Sequence, residues 1–276
     1  MSTYKDNLEA ARDYLRRNSI ADADVDAWYL LTHVLGMNRA EFFLHRDEPF
    51  PEAKARRYHE LVRLRAKHIP LQHITGTQEF MGLEFEVNEN VLIPRQDTEI
   101  LVEEVLKFCS GKKVLDLCTG SGCIIISLAK LGNIAAAAAA DISEKALETA
   151  SRNAQKHSVR IQLIQSDLYN RIDDVYDIIV SNPPYICRGE IGKLMPEVKD
   201  HEPYIALEGG PDGLIFYRRI IEKLRPHLSC EGMVFFEIGH DQGEAVTKLL
   251  IWEGFTGVQI IKDLSGFDRV VYAKLA

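Results

Sequence analysis

The sequence predicts an α/β protein: a seven-stranded, doubly wound and mostly parallel sheet, preceded by a small helical bundle. Three observations predict it. From Lys113 onward, short apolar strand-like runs alternate with segments of helical period. The first seventy residues show helical period alone. The last two strand-like runs are joined by a loop too short for a crossover helix, so they must pair antiparallel.

In chain order, Thr3 or Ser2 is placed to cap a helix with Leu8, Ala11 and Leu15 on one face. Asp22 or Asp24 is placed to cap a second helix carrying Trp28, Leu31 and Leu35, which Gly36 stops. A short third helix follows Asn38. Pro51 then opens a longer one over Glu52–Lys67, where Tyr58, Leu61, Val62 and Arg65 share a face. Residues 1–70 therefore read as one helical domain and 71–94 as a linker. In the linker, Phe80 to Val87 and Val91 to Ile93 are expected as two strands turning at Asn88–Glu89–Asn90. Residues 95–276 form the sheet domain. Its strands are Lys113–Leu117, a segment ending at Asp141, Ile161–Gln165, Asp177–Ser181, Met233–Ile238, Gly257–Lys262 and Arg269–Lys274. The helices between them cover Gly122–Leu131, Glu144–Lys156, Gly213–Leu228 and Gly243–Glu253. Ala135–Ala140 favours helix by propensity, yet the alternation requires a strand there, with Ser143 capping the next helix.

Composition narrows the function. The chain has 276 residues, 33 Lys plus Arg against 41 Asp plus Glu, a net charge of −8 and 46% hydrophobic residues. This excludes a disulfide-stapled mini-protein and a disordered chain. The charge is uneven: residues 1–75 carry 12 basic and 11 acidic side chains, leaving 21 basic and 30 acidic for the rest. An acidic chain is a poor match for duplex phosphates. The basic stretch Lys54–Lys67 reads as a solvated helix face, or as a docking face for an acidic or RNA-associated partner. No apolar run reaches the length of a membrane span, and the polar start carries no signal-peptide pattern, so the expected location is cytoplasmic. The five cysteines lack Cys-x-x-Cys spacing and are expected as free thiols, with no metal site.

Two motifs carry the chemistry. In Val114 to Cys123 an apolar strand runs into Cys118-Thr119-Gly120-Ser121-Gly122 and then a helix, a turn whose glycines allow close backbone approach to a ligand. It lacks the third glycine of a dinucleotide fingerprint and the Gly-Lys-Ser/Thr of a triphosphate loop. Asp141 ends the next strand, placed to accept both hydroxyls of a ribose or to cap the helix that follows. The second motif, Ser181-Asn182-Pro183-Pro184-Tyr185, ends a buried strand with two residues that have no N–H. What remains exposed is carbonyl oxygen and the Asn182 side chain, suited to accept two hydrogen bonds from an NH₂ group. Tyr185 adds an aromatic face for a planar substrate or a cation.

These residues resemble the class I S-adenosylmethionine-dependent methyltransferases that act on planar amino or amide nitrogens. The likeness extends nearly end to end to the release factor glutamine methyltransferases, the HemK/PrmC family. It is carried by Pro70-Leu71-Gln72, Glu79 to Phe85, Leu92-Ile93-Pro94-Arg95-Gln96-Asp97-Thr98-Glu99, Glu202-Pro203, Gly209-Gly210-Pro211-Asp212-Gly213 and Asp263 to Val271. The resemblance implies a Rossmann-like sheet and the cofactor S-adenosyl-L-methionine, with S-adenosyl-L-homocysteine as product. It implies that Cys118, Thr119, Gly120, Ser121 and Gly122 hold the methionine part, Asp141 the ribose, and Asp167 with Leu168 the adenine edge, Asn182 adjoining the cofactor. Asn182, Pro183, Pro184 and Tyr185 would bind the substrate glutamine amide, with Asn182, Pro183 and Tyr185 as the catalytic set. Cys118 stands where the family often has glycine, and Leu168 where an aromatic is common. The implied partner is a peptide chain release factor, whose Gly-Gly-Gln glutamine is methylated on N5. The helical domain would recognise it, with no direct nucleic acid or membrane contact and a monomeric enzyme.

Two other readings use the same residues. Adenine N6 also presents a planar NH₂, so a DNA or RNA amino-methyltransferase shares the pocket, opposed by the acidic catalytic region and the lack of a basic recognition insert. A non-catalytic cofactor-binding adaptor would need no amide acceptors.

Overall fold

A computed structural model of the chain describes residues 2–276. It divides into two compact units, one holding the residues up to Gly76 together with Met195–His201, the other Thr77–Leu194 with Glu202–Ala276. Among the described residues no helix is long and apolar enough to cross a membrane.

The first unit is all helical: α1 (Tyr4–Arg17), α2 (Ala23–Leu35), α3 (Arg39–His45), α4 (Glu52–Arg65), α5 (Leu71–Thr75) and the one-turn helix Pro196–Lys199. Thr3 caps α1 in a reciprocal box with Asp6, and Asn38 caps α3 in the same way with Glu41. Asp22 occupies the cap position of α2 but makes no capping hydrogen bond; Asp24 and Asp26 supply the negative charge that the first turn favours. The core stripes are Leu8, Ala11 and Leu15, then Ala27, Leu30 and Leu31, then Tyr58, Leu61 and Val62. Trp28, expected on the core face of α2, lies at its half-buried edge against Phe42. The centre of that face belongs to Ala27, whose carbonyl accepts the Tyr58 hydroxyl at 2.9 Å.

Arg65 departs from a solvated basic face. It is buried and bridges Asp26 at 2.6 Å and Glu197 at 2.9 Å, with His68 3.3 Å from Glu197. Its neighbours Arg56 and Arg57 pair along the exposed surface of α4 with Glu52 and Glu60, contacts that add little stability.

The second unit begins with a hairpin, β1 (Thr77–Phe80) and β2 (Leu83–Glu86), and continues through α6 (Asp97–Leu106), β3 (Lys113–Leu117), α7 (Cys123–Leu131), β4 (Ala136–Asp141) and α8 (Glu144–Lys156). There follow β5 (Gln162–Gln165), β6 (Tyr176–Ser181), α9 (Ile215–Glu222), β7 (Leu228–Glu237), α10 (Gly243–Trp252), β8 (Phe255–Lys262) and β9 (Asp268–Leu275). The seven-stranded sheet has the order β5-β4-β3-β6-β7-β9-β8, with β9 antiparallel to both neighbours, as the short loop requires. Alternate strand residues feed two cores. Leu115, Leu117, Ile179 and Phe236 pack on one face with α9 and α10 residues such as Tyr217 and Val246. Val114, Ile178, Val180 and Phe235 pack on the other with α6 and α7 residues such as Leu101 and Ile125.

Three parts of the sequence reading are corrected. The hairpin turns at Met81-Gly82 rather than Asn88–Asn90, and 91–93 is not a strand. Both turn residues have positive φ, 53° and 69°, the geometry of a two-residue hairpin loop. Asn88 instead closes a local turn by accepting from the Asn90 N–H at 2.9 Å. Helix α6 is absent from the sequence reading, although Leu101, Val102 and Val105 give it a buried stripe. Its cap position, Gln96, offers no side-chain hydrogen bond to mark the start. Helix α9 stops at Glu222, because Pro226 follows in a separate turn and cannot donate to a continuing helix. The alanine run is a strand, as the alternation demanded. Ala136 to Ala140 pair with Lys113 to Leu117, and Ala138, Ala139 and Ala140 are buried. Burial between two neighbouring strands overrides their helix propensity.

Candidate active site

The chain runs outward from β3 to β4 and β5, then returns to place β6 on the other side of β3. The carboxyl ends of β3 and β6 therefore flank a topological switch point, where open α/β sheets bind ligands. A cavity of about 180 Å³ opens there. Its wall includes Cys118, Thr119, Gly120 and Ser121 after β3, Asp141 after β4, Asp167 and Leu168 after β5, and Asn182 and Pro184 after β6. Of the residues expected at the site, Gly122, Pro183 and Tyr185 do not line this cavity. Gly122 lies beneath it, at φ 80°, where a Cβ would come within 3.2 Å of the Ala150 Cβ.

Asp141 fixes the glycine loop. Its Oδ2 accepts from the Gly120 N–H and its Oδ1 from the Ser143 N–H, each at 2.9 Å. Ser143, not Asp141, caps α8, by accepting from the Ala146 N–H at 3.2 Å. Each Asp141 oxygen keeps a second lone pair for a hydroxyl. Burial raises its pKa, while backbone donors at Ser143, Gly120 and Ile142 oppose that shift. Gly120 has φ 55°, and a Cβ built there meets no protein atom within 4 Å, so the bare backbone faces open space. Cys118 adopts a left-handed φ of 60°, a conformation glycine holds at less strain. Burial pushes the Cys118 thiol upward and Cys123 up to about 12, so neither supplies a thiolate at neutral pH. Asp167 is paired with Arg219 at 2.7 Å, and Leu168 is buried at φ 51°.

Under the loop, Asp116 is fully buried. Its Oδ2 accepts from the Thr119 hydroxyl at 2.6 Å, and its Oδ1 has no hydrogen-bond partner among the described residues. Burial pushes this carboxyl up to about 7. The folded state then holds a proton that the unfolded state has lost between the ordinary carboxylate range and about pH 7. Stability therefore falls as pH rises through that window. Asp116→Asn removes the dependence, so its thermal midpoint exceeds that of the unmodified protein by a margin that widens from about pH 4 to about pH 8. A margin constant with pH would contradict this assignment.

The motif after β6 is held from behind. Ser181 Oγ donates to the Leu117 carbonyl at 2.7 Å, tying β6 to β3. Asn182 Nδ2 donates to Thr98 Oγ1 at 3.4 Å, and no protein donor reaches its Oδ1 among the described residues. Nor does the Pro183 carbonyl accept a backbone N–H among them. The Tyr185 hydroxyl donates to Glu237 Oε1 at 3.5 Å, and burial pushes its pKa upward, so it remains a neutral donor. Gln242 Nε2 donates to the Tyr185 carbonyl at 3.0 Å and the Gly213 carbonyl at 3.3 Å. Arg95, at the cavity wall, pairs with buried Glu202.

Sequence reasoning missed Thr98, Arg95, Glu202, Glu237 and Gln242 as parts of the site. A signal was present: a carboxylate at a buried strand end, as in Phe235-Phe236-Glu237, is unusual for a purely structural strand.

Residues 6–76 match the PrmC N-terminal domain family, and residues 95–195 match the methyltransferase small domain family. Over 275 residues the chain is 39% identical to the release factor glutamine methyltransferase of Geobacter sulfurreducens, covering 99% of this chain and 97% of that protein. It is 40% identical over 277 residues to the enzyme of the same name from Clostridium acetobutylicum, covering 98% and 97%. A methyltransferase structure from Pyrococcus furiosus shares the fold at 19% identity and a TM-score of 0.56, covering 78% of this chain and 98% of that one. With its cavity at the switch point, its Asn-Pro-Pro-Tyr strand end and full-length identity near 40%, the chain belongs to the release factor glutamine methyltransferase family.

Proposed function

We propose that this protein methylates the side-chain amide nitrogen of the glutamine in the Gly-Gly-Gln motif of peptide chain release factors, taking the methyl group from S-adenosylmethionine. The observation that carries this reading is Asn182. It lies on the cavity wall with its NH₂ committed to Thr98, leaving Oδ1 as an unpaired acceptor beside two prolines that have no N–H to compete.

The residues present fit the cofactor. The side-chain-free Gly120 leaves room for its methionine part along Cys118–Gly122, Asp141 has lone pairs for ribose hydroxyls, and Asp167 with Leu168 borders the space for the adenine. When bound, S-adenosylmethionine supplies an electrophilic methyl group. The remaining task is to make a poor nucleophile usable, because the lone pair of a carboxamide nitrogen is delocalised. Asn182 Oδ1 and the Pro183 carbonyl accept the two amide protons and so fix the plane of the amide. The same acceptors favour the positive charge that develops on nitrogen. Tyr185, which does not line the cavity, supports the segment from behind as a neutral aromatic, and its raised pKa excludes a phenolate base. Proton loss follows or accompanies the transfer.

The helical unit is the recognition module. Its exposed Tyr29 and Phe43 border a groove with Trp28 and Phe42, and Arg39 and Arg46 lie 5.9 and 6.0 Å over the Trp28 and Phe43 rings. Phe43→Glu is expected to raise KM for a whole release factor about tenfold or more while leaving a short Gly-Gly-Gln peptide unaffected. Equal loss on both substrates would count against a recognition role. The enzyme acts as a monomer in the cytoplasm on this reading.

A labelling experiment tests the function. With methyl-labelled cofactor and release factor, duplex DNA or neither, label is expected on the release factor alone. Label on DNA would favour the amino-methyltransferase of bases, and label on neither would leave a binding protein.

A further inference from the structure

The cavity wall holds one aromatic ring. Phe216, in the first turn of α9, lines the cavity, and among the described residues no other phenylalanine, tyrosine or tryptophan does. Its side chain is half-buried: it packs against the core that holds Tyr217 and Ile220, and still reaches the cavity surface. Arg219 follows at i+3, on the same face of the helix. Its guanidinium carbon lies 5.7 Å from the centroid of the Phe216 ring, within the range of a cation–π contact. Its Nη2 donates to Asp167 Oδ2 at 2.7 Å. Ring, cation and carboxylate thus form one connected group that joins α9 to the loop after β5, and all three line the cavity.

This corner of the cavity suits one shape of ligand. The guanidinium takes Asp167 Oδ2, and no donor among the described residues reaches Oδ1, which is left to accept from an amino group at the edge of a ligand. The ring offers a flat π face beside it, whereas Leu168 on the same wall offers only aliphatic bulk. A planar heteroaromatic base with an exocyclic NH₂ meets both groups at once. A glutamine side chain does not, since its amide is held at Asn182. In the strand order β5-β4-β3-β6, the ends of β5 and β6 are three strand spacings apart, about 14 Å. The ring is therefore tied to the end of the cavity away from the substrate amide.

We infer that Phe216 is the stacking partner of the cofactor's adenine and that Arg219 is a positioning residue, its guanidinium fixing both the Phe216 ring and the Asp167 carboxylate that accepts from the adenine amino group. This assignment rests on the reading that S-adenosylmethionine occupies the cavity with its adenine beside Asp167.

Calorimetric titration with S-adenosylhomocysteine and with S-inosylhomocysteine, in which oxygen replaces the adenine amino group, tests it. Phe216→Leu keeps apolar bulk and removes the π face, so it weakens both ligands by the same factor of about ten. Phe216→Trp binds S-adenosylhomocysteine within about threefold of the unmodified protein, and its added indole emission is quenched by that ligand. The unmodified protein prefers S-adenosylhomocysteine. Arg219→Ala narrows that preference about fivefold, and Arg219→Lys restores part of it, whereas a merely structural role would weaken both ligands alike. Thermal midpoints establish that each variant is folded, and should Phe216→Leu fail to fold, the quenching in Phe216→Trp decides. Unchanged affinity in Phe216→Leu, or indole emission unmoved at saturating S-adenosylhomocysteine, would overturn the stacking role. No preference in the unmodified protein, or an unaltered one in Arg219→Ala, would overturn the role of Arg219. Asp141→Ala is titrated alongside: if it binds as tightly as the unmodified protein, or if the unmodified protein binds neither ligand, the cofactor reading of the cavity falls and the assignment with it.

Discussion

Asn182→Ala lowers kcat on the order of 10³-fold and leaves S-adenosylhomocysteine affinity within about threefold of the unmodified protein. The size follows from what the side chain does. Its Oδ1 is the one side-chain acceptor in the Asn-Pro-Pro-Tyr segment that lines the cavity, and alanine leaves a substrate amide with only the Pro183 carbonyl to orient it. A factor of 10³ is about 4 kcal/mol of transition-state stabilisation, the upper part of the range for one preorganised polar group in a water-poor site. Cofactor affinity is spared because the glycine loop and Asp141 are held by hydrogen bonds to each other and to Ser143, none involving Asn182. Steady-state kinetics with a release factor, paired with calorimetric titration, separates the two effects. A variant that turns over normally, or one that loses cofactor and activity together, contradicts the assignment.

Gly213→Ala is expected to be nearly as damaging, although residue 213 does not line the cavity. The loop Gly209 to Gly213 is packed against the backbone of the Asn-Pro-Pro-Tyr segment. A Cβ at 213 falls 2.4 Å from the Tyr185 carbonyl oxygen and 2.5 Å from Gln242 Nε2, and the backbone there has φ 73°. The left-handed φ costs about 1 kcal/mol for a residue with a side chain, and displacing a packed carbonyl and its amide donor adds about 1–3 kcal/mol. The neighbour that moves is Tyr185 itself, so kcat falls by about tenfold or more together with the thermal midpoint. Gly189→Ala is the control: its Cβ meets nothing within 4 Å, and stability should stay within about 0.5 kcal/mol. Equal behaviour of the two variants would show that the close approach at 213 has no consequence.

The same loop shows what was legible in the sequence. Gly209-Gly210-Pro211-Asp212-Gly213 was recognised only by resemblance, because the reason for its glycines is a tertiary approach to Tyr185. By contrast, β3, α8 and the antiparallel β9 followed from period and loop length alone. The hairpin was misplaced because Met81-Gly82 is a tight turn in which Met81, a residue that seldom adopts positive φ, takes the first position. Local pattern gave no sign of it.

At the site, the sequence located the groups that meet the ligand but not those that hold them. Asp141 and Asn182 were legible because strand-end position and the loss of two N–H donors are local properties. The Asn182 orientation depends on Thr98, 84 positions away, and Glu237 is 52 positions from Tyr185. Pairings at such separation are set by strand order, which a single sequence constrains only loosely. Arg65 has the same lesson from the helical unit. Its place on an apolar face was readable, whereas its partner Glu197, 132 positions on, was not.

The central claim is that Asn182 and the Pro183 carbonyl present acceptors to a planar carboxamide and so direct methylation to a glutamine side-chain nitrogen. It is tested most directly by fragmentation mass spectrometry of a release factor after incubation with this protein and S-adenosylmethionine. A single methyl on the side-chain nitrogen of the Gly-Gly-Gln glutamine, absent when Asn182→Ala replaces the unmodified protein, is the predicted result. A methyl on any other residue, or an unmodified Gly-Gly-Gln peptide under the same conditions, would contradict the account.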